Sequence, residues 1–255
     1  MEANAVKPLF LLSRAAAAAA LLLGLSSARA SATELWTVAS DQNFPPYNFT
    51  LKGKRTGVDT QIIEAVLKRI GVSPIHRPMS WDEVVQAIDT NQVDLAFQFI
   101  ASPERKEKYR LVGPFRTGET VLVTTKGRSF DIKDIADLRS YRVGTIRGFT
   151  YEPSFDRDAE IRKLAGANAT TNIRRLLNGR VDILIGDRQS LLYSADEDGK
   201  LDSVAVLDMK IGYFPRYVAF PRQRAEKAER FEKAMNELIA DGTVDRIIKS
   251  WLSTN

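Results

Sequence analysis

The sequence predicts a two-lobed α/β protein, on three observations. Strand-like and helix-like segments alternate from residue 35 to residue 99, five elements in about 65 residues, which is the pattern of a parallel sheet flanked by helices. A similar unit recurs between residues 142 and 187. Two β-rich segments, 119–127 and 213–222, lie between and after these units, as expected of a chain that crosses from one lobe to the other and returns.

LWTVAS (35–40) reads as the first strand, and it breaks at DQNFPPYNF, where two prolines and an Asp-x-Asn cluster make a loop. From Asp59 to Ile70, apolar residues at Ile62, Ile63, Val66, Leu67 and Ile70 follow helical spacing, and Gly71 stops the helix. A short strand at Pro74–Arg77 follows. Ser80 and Glu83 then form a capping box for a helix carrying Trp81, Val84, Val85 and Ile88 on one side, ending near Asn91 before the strand VDLAF. In the second unit RVGTI (142–146) is a strand, GFTYEP a loop, TTNIRRLLNG a helix and RVDILIGD the closing strand. Helix stop, Val-Asp and apolar strand occur in both units, in AIDTNQVDLAFQ and RRLLNGRVDILIGD. Ala225 to Leu252 gives two helices separated by Asp241-Gly242, expected to pack on the first lobe.

Residues 1–30 belong to another class. Lys7 and Arg14 precede AAAAAALLLGL, and Ala28-Arg29-Ala30 offers a small-x-small cleavage pattern, so this is read as a signal peptide cut near Ala30. Its apolar run is well short of the ~20 residues that a spanning helix needs, and no later run comes closer. An uncleaved anchor is the alternative. The leader carries three basic residues (Lys7, Arg14, Arg29) and one acidic (Glu2), so its removal lowers the net charge from the full chain's +5 by two. The remaining charges interleave, as in RQRAEKAERFEK, which is a solvated helix face and no nucleic-acid surface. The sequence has no cysteine, which excludes disulfides, thiolate metal sites, a cysteine nucleophile and lipid attachment through cysteine. One histidine, His76, read as a strand residue near the surface, leaves no basis for a zinc site or a Ser-His-Asp triad. Neither a metal nor a cofactor is expected.

In open parallel sheets, ligands bind beyond the carboxyl ends of the strands. Four loops start there: DQNFPPYNF, QFIASPER, RGFTYE and GDRQS. They bring Arg105 from one unit and Asp187 from the other, a guanidinium and a carboxylate that complement the two ends of a zwitterion, with a contribution of roughly 1.5–3 kcal/mol per charge-assisted contact. Gly148 lets backbone amides approach an anion. Phe44 offers a ring to cover the ligand. Plainer roles exist for each: Arg105 paired with Glu104 or Glu107, Asp187 as the cap of a helix beginning RQSLLYS, and Phe44 as a core residue.

DQNFPPYNF, GVDTQIIEAVLKRIG, SWDEVVQAIDTNQVDLA, SPERKEKY followed by GPF, DIADLRSYRVGTIRG and NGRVDILIGD, in that order, resemble the periplasmic amino-acid-binding proteins of bacterial ABC importers, solute-binding family 3. The resemblance covers nearly the whole chain after the leader. It implies the type II periplasmic-binding-protein fold, with residues 31–118 and 219–255 as lobe 1, 119–218 as lobe 2, and two hinge strands. It implies a secreted, periplasmic, monomeric protein that closes over a small carboxylate-bearing ligand, an amino acid in the first place, and delivers it to an ABC permease in the inner membrane. Arg105 matches the arginine that holds the α-carboxylate, helped by Thr150. Asp187 matches the acid that takes the α-amino group, Phe44 the stacking aromatic, and Asp41 lies beside it. Phe99, Ile100 and Phe149 complete the expected binding residues.

The sequence departs from the family pattern where Ile100 replaces a serine or threonine, Phe149 a small polar residue and Gln61 a frequent aspartate, and where Phe97 and Gln98 replace small residues. Fewer hydrogen-bonding groups and more aromatic bulk point to an apolar or aromatic amino acid, or another small carboxylate. Two rivals use the same fold. One is an enzyme resembling cyclohexadienyl dehydratases, with Glu152 as the acid to test. The other is an accessory protein handing ligand to a sensor; a sensor module itself normally sits on a membrane-spanning chain.

Overall fold

The computed structural model describes residues 1–2 and 33–252. The predicted signal peptide lies outside these residues, but for its first two. Residues 34–252 form one compact unit.

Strand β1 (Glu34–Asp41) buries Trp36, Val38 and Ala39 completely. It pairs in parallel with β4 (Val72–Met79) on one side and β5 (Leu95–Phe99) on the other. Near-continuous burial along β5 is what a parallel strand covered on both faces requires. Helix α1 (Val58–Arg69) connects to β4, and α2 (Trp81–Asp89) connects β4 to β5. The predicted capping box is present: the Ser80 amide donates to Glu83 Oε2 at 2.8 Å. A hairpin of β2 (Phe49–Leu51) and β3 (Lys54–Thr56) precedes α1.

The second parallel block is β9-β7-β8, made of β7 (Arg142–Ile146), β8 (Arg162–Gly166) and β9 (Ile183–Asp187). Its helices are α4 (Pro153–Arg157), α5 (Ala169–Leu177) and α6 (Arg188–Glu197). Between the blocks run two long antiparallel strands, β6 (Tyr109–Thr125) and β11 (Gly212–Pro221), and β10 (Val204–Val206) adds to β6. The result is a continuous nine-stranded sheet in which β11 borders β5 and β6 borders β9. Short helix α3 (Pro103–Lys108) leads into β6. The C-terminal helices α7 (Ala225–Ala240) and α8 (Thr243–Leu252) pack on α1.

Buried side chains form separate clusters in the two blocks. Trp36, Ile62, Phe220 and Phe231 anchor the first, and Val143, Phe155, Ile183 and Ile185 anchor part of the second. Among the described residues no helix is long and apolar enough to cross a membrane. His76 lies in β4 with Nε2 2.8 Å from Glu64 Oε1.

One strand differs from expectation at its end. β6 starts at Tyr109, ten residues before the β-rich stretch at 119. The extension comes from pairing with β11, Tyr109 opposite Pro221, a tertiary contact that local sequence does not encode.

Candidate ligand site

The carboxyl ends of β1, β5, β7 and β9 converge on one cavity, the position at which open α/β sheets hold their ligands. Six of the eight expected residues line it: Phe44, Ile100, Arg105, Phe149, Thr150 and Asp187.

Arg105 comes from α3. Pro103 opens this helix and Ser102 caps it, accepting a hydrogen bond from the Arg105 amide at 3.2 Å. The guanidinium lies 5.1 Å from the Phe99 ring and 5.7 Å from that of Trp81, a cation–π setting. Its Nη1 donates to the Ile100 carbonyl at 3.3 Å. No carboxylate lies within 4.0 Å of it among the described residues; Glu104, one of the alternative partners, pairs with Lys108. Burial therefore depresses the Arg105 pKa, with Tyr109, Glu104 and Asp156 offsetting it only in part.

Asp187 ends β9 and caps α6, so the plainer role holds as well: its Oδ1 accepts from the Ser190 amide at 3.2 Å. The same oxygen accepts from the Tyr47 hydroxyl at 2.9 Å, a link between the two blocks. Burial and the Asp187 charge push the Tyr47 pKa well up, so the phenol stays protonated and donates. Asp187 Oδ2 is buried without a partner among the described residues.

Phe149, beyond β7, meets Phe44 at 5.6 Å and Trp81 at 5.9 Å, both edge to face. Gly148 beside it has φ +73°, and a Cβ there would collide with Asp82. The loops of the two blocks thus touch over the cavity. Thr150 lies on the wall between Phe149 and Tyr151.

Two expected residues do not line the cavity. Asp41 points away: its Oδ1 accepts from the Asn43 amide at 2.8 Å, its carbonyl takes bonds from Asn48 and Arg55, and burial raises its pKa. It fixes the turn that presents Phe44. Phe99 is fully buried beneath Arg105 and shapes the site from behind. Glu152, the acid of the enzymatic rival, also stands outside the cavity lining. Its carboxylate caps α4, accepting from the Ser154 and Phe155 amides at 2.8 and 3.0 Å.

Sequence reasoning missed Trp81, Tyr151, Leu191 and Arg216 as lining residues. Arg216 is the most consequential, and one signal was available: a charge interrupting the apolar strand YFPRYVAF. It faces Arg116 in the β6–β11 pairing, and a register shift follows at once. Arg116 binds Asp59 through Nε–Oδ1 at 2.5 Å and Nη2–Oδ2 at 2.8 Å, with its guanidinium 3.5 Å from the centre of the Tyr47 ring. Burial opposes the Arg116 charge, but Asp59 outweighs it and the pKa rises. Gln98 Nε2 also donates to Asp59 at 3.0 Å, from a backbone with φ 78°, a conformation rare outside glycine. For Arg216, burial and then the Arg116 charge pull the pKa down.

Comparison with known proteins agrees with this architecture. The L-cystine-binding protein TcyJ of Escherichia coli K12 is 24% identical over 221 residues, covering 86% of this chain and 82% of that protein. The lysine/arginine/ornithine-binding periplasmic protein of the same organism is 24% identical over 251 residues, 93% of this chain and 96% of that one. Among solved structures, an ancestral arginine-binding protein bound to arginine superposes with a TM-score of 0.76 at 27% identity, covering 86% of this chain and 98% of that one. The sequence model of one family matches residues 36–254, and the chain belongs to that family, the bacterial extracellular solute-binding proteins, family 3.

Proposed function

We propose that the protein is the solute receptor of an amino-acid ABC importer, exported to the periplasm with its leader cut near Ala30, and that it acts as a monomer. It closes over a small carboxylate-bearing molecule between a lobe of residues 31–118 with 219–255 and a lobe of residues 119–218. Arg105 takes the carboxylate, Thr150 assists from the facing loop, and Asp187 holds the opposite polar end. Phe44 and Phe149, with Ile100, form the apolar walls.

The observation that carries this is a half-buried arginine lining a cavity with no carboxylate within 4.0 Å among the described residues, since a guanidinium partly withdrawn from water is stabilised by an incoming acid. Family membership and the amino-acid-binding relatives support the same reading. A thermal-shift screen of amino acids and aromatic acids identifies the ligand, because one present at a hundred times its Kd adds about 2.7 kcal/mol to stability. Calorimetry with that ligand then tests Arg105→Ala, which is expected to lower affinity on the order of a hundredfold, the loss of one charge-assisted pair. An affinity unchanged by the substitution refutes the assignment of Arg105.

The dehydratase reading has less support, because Glu152 is spent as a helix cap outside the cavity lining. An ultraviolet assay for phenylpyruvate formation from prephenate tests it directly.

A further inference from the structure

We propose, resting on the assignment of this cavity as the solute site, that the ligand is bound as a species of net charge −1 and that Arg216 sets this selectivity. The charged side chains lining the cavity are Arg105, Arg216 and Asp187, two guanidiniums against one carboxylate, and Tyr151 is a neutral phenol. Behind the wall, Arg116 and Asp59 neutralise each other. The cavity therefore carries one positive charge more than its own acids compensate.

With Arg105 given to the ligand's carboxylate and Asp187 to its opposite end, Arg216 is the group left without a counter-charge. It is 7% exposed, and its Nε is buried with no hydrogen-bond partner among the described residues. Its nearest acid contact is Nη2 to Asp187 Oδ2 at 4.0 Å, too long for a hydrogen bond. Like charges opposite each other on paired strands repel, and Arg216 sits opposite Arg116. Arg116 answers this with a bidentate carboxylate of its own, and Arg216 has none. The arrangement is built into the backbone. At Gly118 an added Cβ would stand 2.6 Å from Asp187 Oδ2, 3.2 Å from Arg116 Nη1 and 3.3 Å from Arg216 Nη2, so only glycine lets the three groups converge. Arg116 Nη1 and Asp187 Oδ2 are likewise buried without partners. The bulge after Arg216 is the kind of irregularity that re-aims a side chain next to a binding site.

A neutral zwitterion leaves the extra charge buried when the site shuts. A ligand of net charge −1 cancels it, and two kinds of molecule qualify. An acidic amino acid would set one carboxylate on Arg105, its ammonium on Asp187 and its second carboxylate on Arg216. A monocarboxylate without an ammonium would bind Arg105 and leave Asp187 to Arg216.

Matched pairs separate these cases in calorimetry at neutral pH: glutamate against glutamine, and phenylpyruvate against phenylalanine. The anionic member of at least one pair is expected to bind the wild type tenfold or more tighter than its neutral partner, and the responding pair identifies the source. Arg216→Met should bring that ratio close to one, whereas Arg216→Lys, which keeps the charge, should retain most of it and serves as the control if the methionine variant folds poorly. Neutral members binding as tightly as their anions, or a ratio unchanged in a folded Arg216→Met, overturns the proposal. A wild type that takes only zwitterions, with Arg105→Ala still abolishing binding, overturns the charge argument and leaves the site standing; no binding from either pair or from the amino-acid screen overturns both.

Discussion

Arg116→Met is the sharpest test of how the region behind the cavity is held together. Asp59 is fully buried at the start of α1 and has two Arg116 nitrogens within 2.8 Å and Gln98 Nε2 at 3.0 Å. Methionine keeps most of the volume of the arginine stem but leaves the carboxylate with one neutral donor. Breaking a buried ion pair from one side costs about 3–5 kcal/mol, because the remaining charge is stranded away from water. At about 2–4 °C per kcal/mol for a domain of this size, Tm should fall by roughly 6–20 °C, followed by circular dichroism at neutral pH. Adding Asp59→Asn to Arg116→Met removes the stranded charge and should recover at least half of the loss, which a general packing defect would not do. A drop below about 1 kcal/mol in Arg116→Met, or no recovery in the double variant, would refute the claim that this pair is the electrostatic keystone of the crossing strands.

Two further outcomes follow from local geometry. Asp182 accepts from the Arg142 amide at 3.0 Å and from its Nε and Nη2 at 2.9 Å each, and these bonds hold its carboxyl at about 2, below the usual 3.8. A depressed folded pKa stabilises the native state above the unfolded value and loses that contribution as pH falls from 3.8 toward 2, so Asp182→Asn should cost about 1–2 kcal/mol at pH 7 and almost nothing near pH 2; an equal deficit at both would count against the ion pair. Gly148→Ala puts a Cβ against Asp82 and Trp81 at φ +73°, so it should weaken ligand binding about tenfold by calorimetry while costing the ligand-free protein about 1 kcal/mol or a little more; an unchanged affinity would mean that these loops stay apart in the bound form.

The parallel blocks were legible because each is a local device. Apolar spacing from Ile62 to Leu67, the Ser80–Glu83 box and the Val-Asp-apolar run before each strand involve residues within a few positions of one another. Arg105 and Asp187 were legible as cavity-lining residues because Asp187 ends β9 and Arg105 follows the carboxyl end of β5 by one loop, where the fold class places ligands. Asp41 was misplaced for the same reason. It too ends a strand, but its carboxylate turns back to the Asn43 amide, and a turn of this sort uses up an aspartate that spacing alone would offer to the ligand. Arg216 stands out as a charge in an apolar strand, but its meaning depends on a residue one hundred positions earlier. Only the pairing of β11 with β6 brings it opposite Arg116, and only the missing side chain of Gly118 brings both to Asp187.

That placement links selectivity to closure. β6 and β11 are the strands that join the two parallel blocks, and Arg216 lines the cavity from β11 with Arg116 opposite it on β6, so this charged end of the cavity is part of the connection itself. Asp59 and Tyr47, which meet Arg116, come from the first block, and Asp187, which meets Tyr47, comes from the second. A charge brought in by the ligand at this end acts on groups from both blocks at once, whereas the aromatic contacts of Phe149 with Phe44 and Trp81 act only at the rim. A ligand can shift a two-state equilibrium only by its difference in affinity for the two states. On the proposal that Arg216 sets the ligand's charge, the same contact is the one through which the ligand favours the shut form, and a substitution at Arg216 should alter which solutes bind and how completely the protein closes on them together.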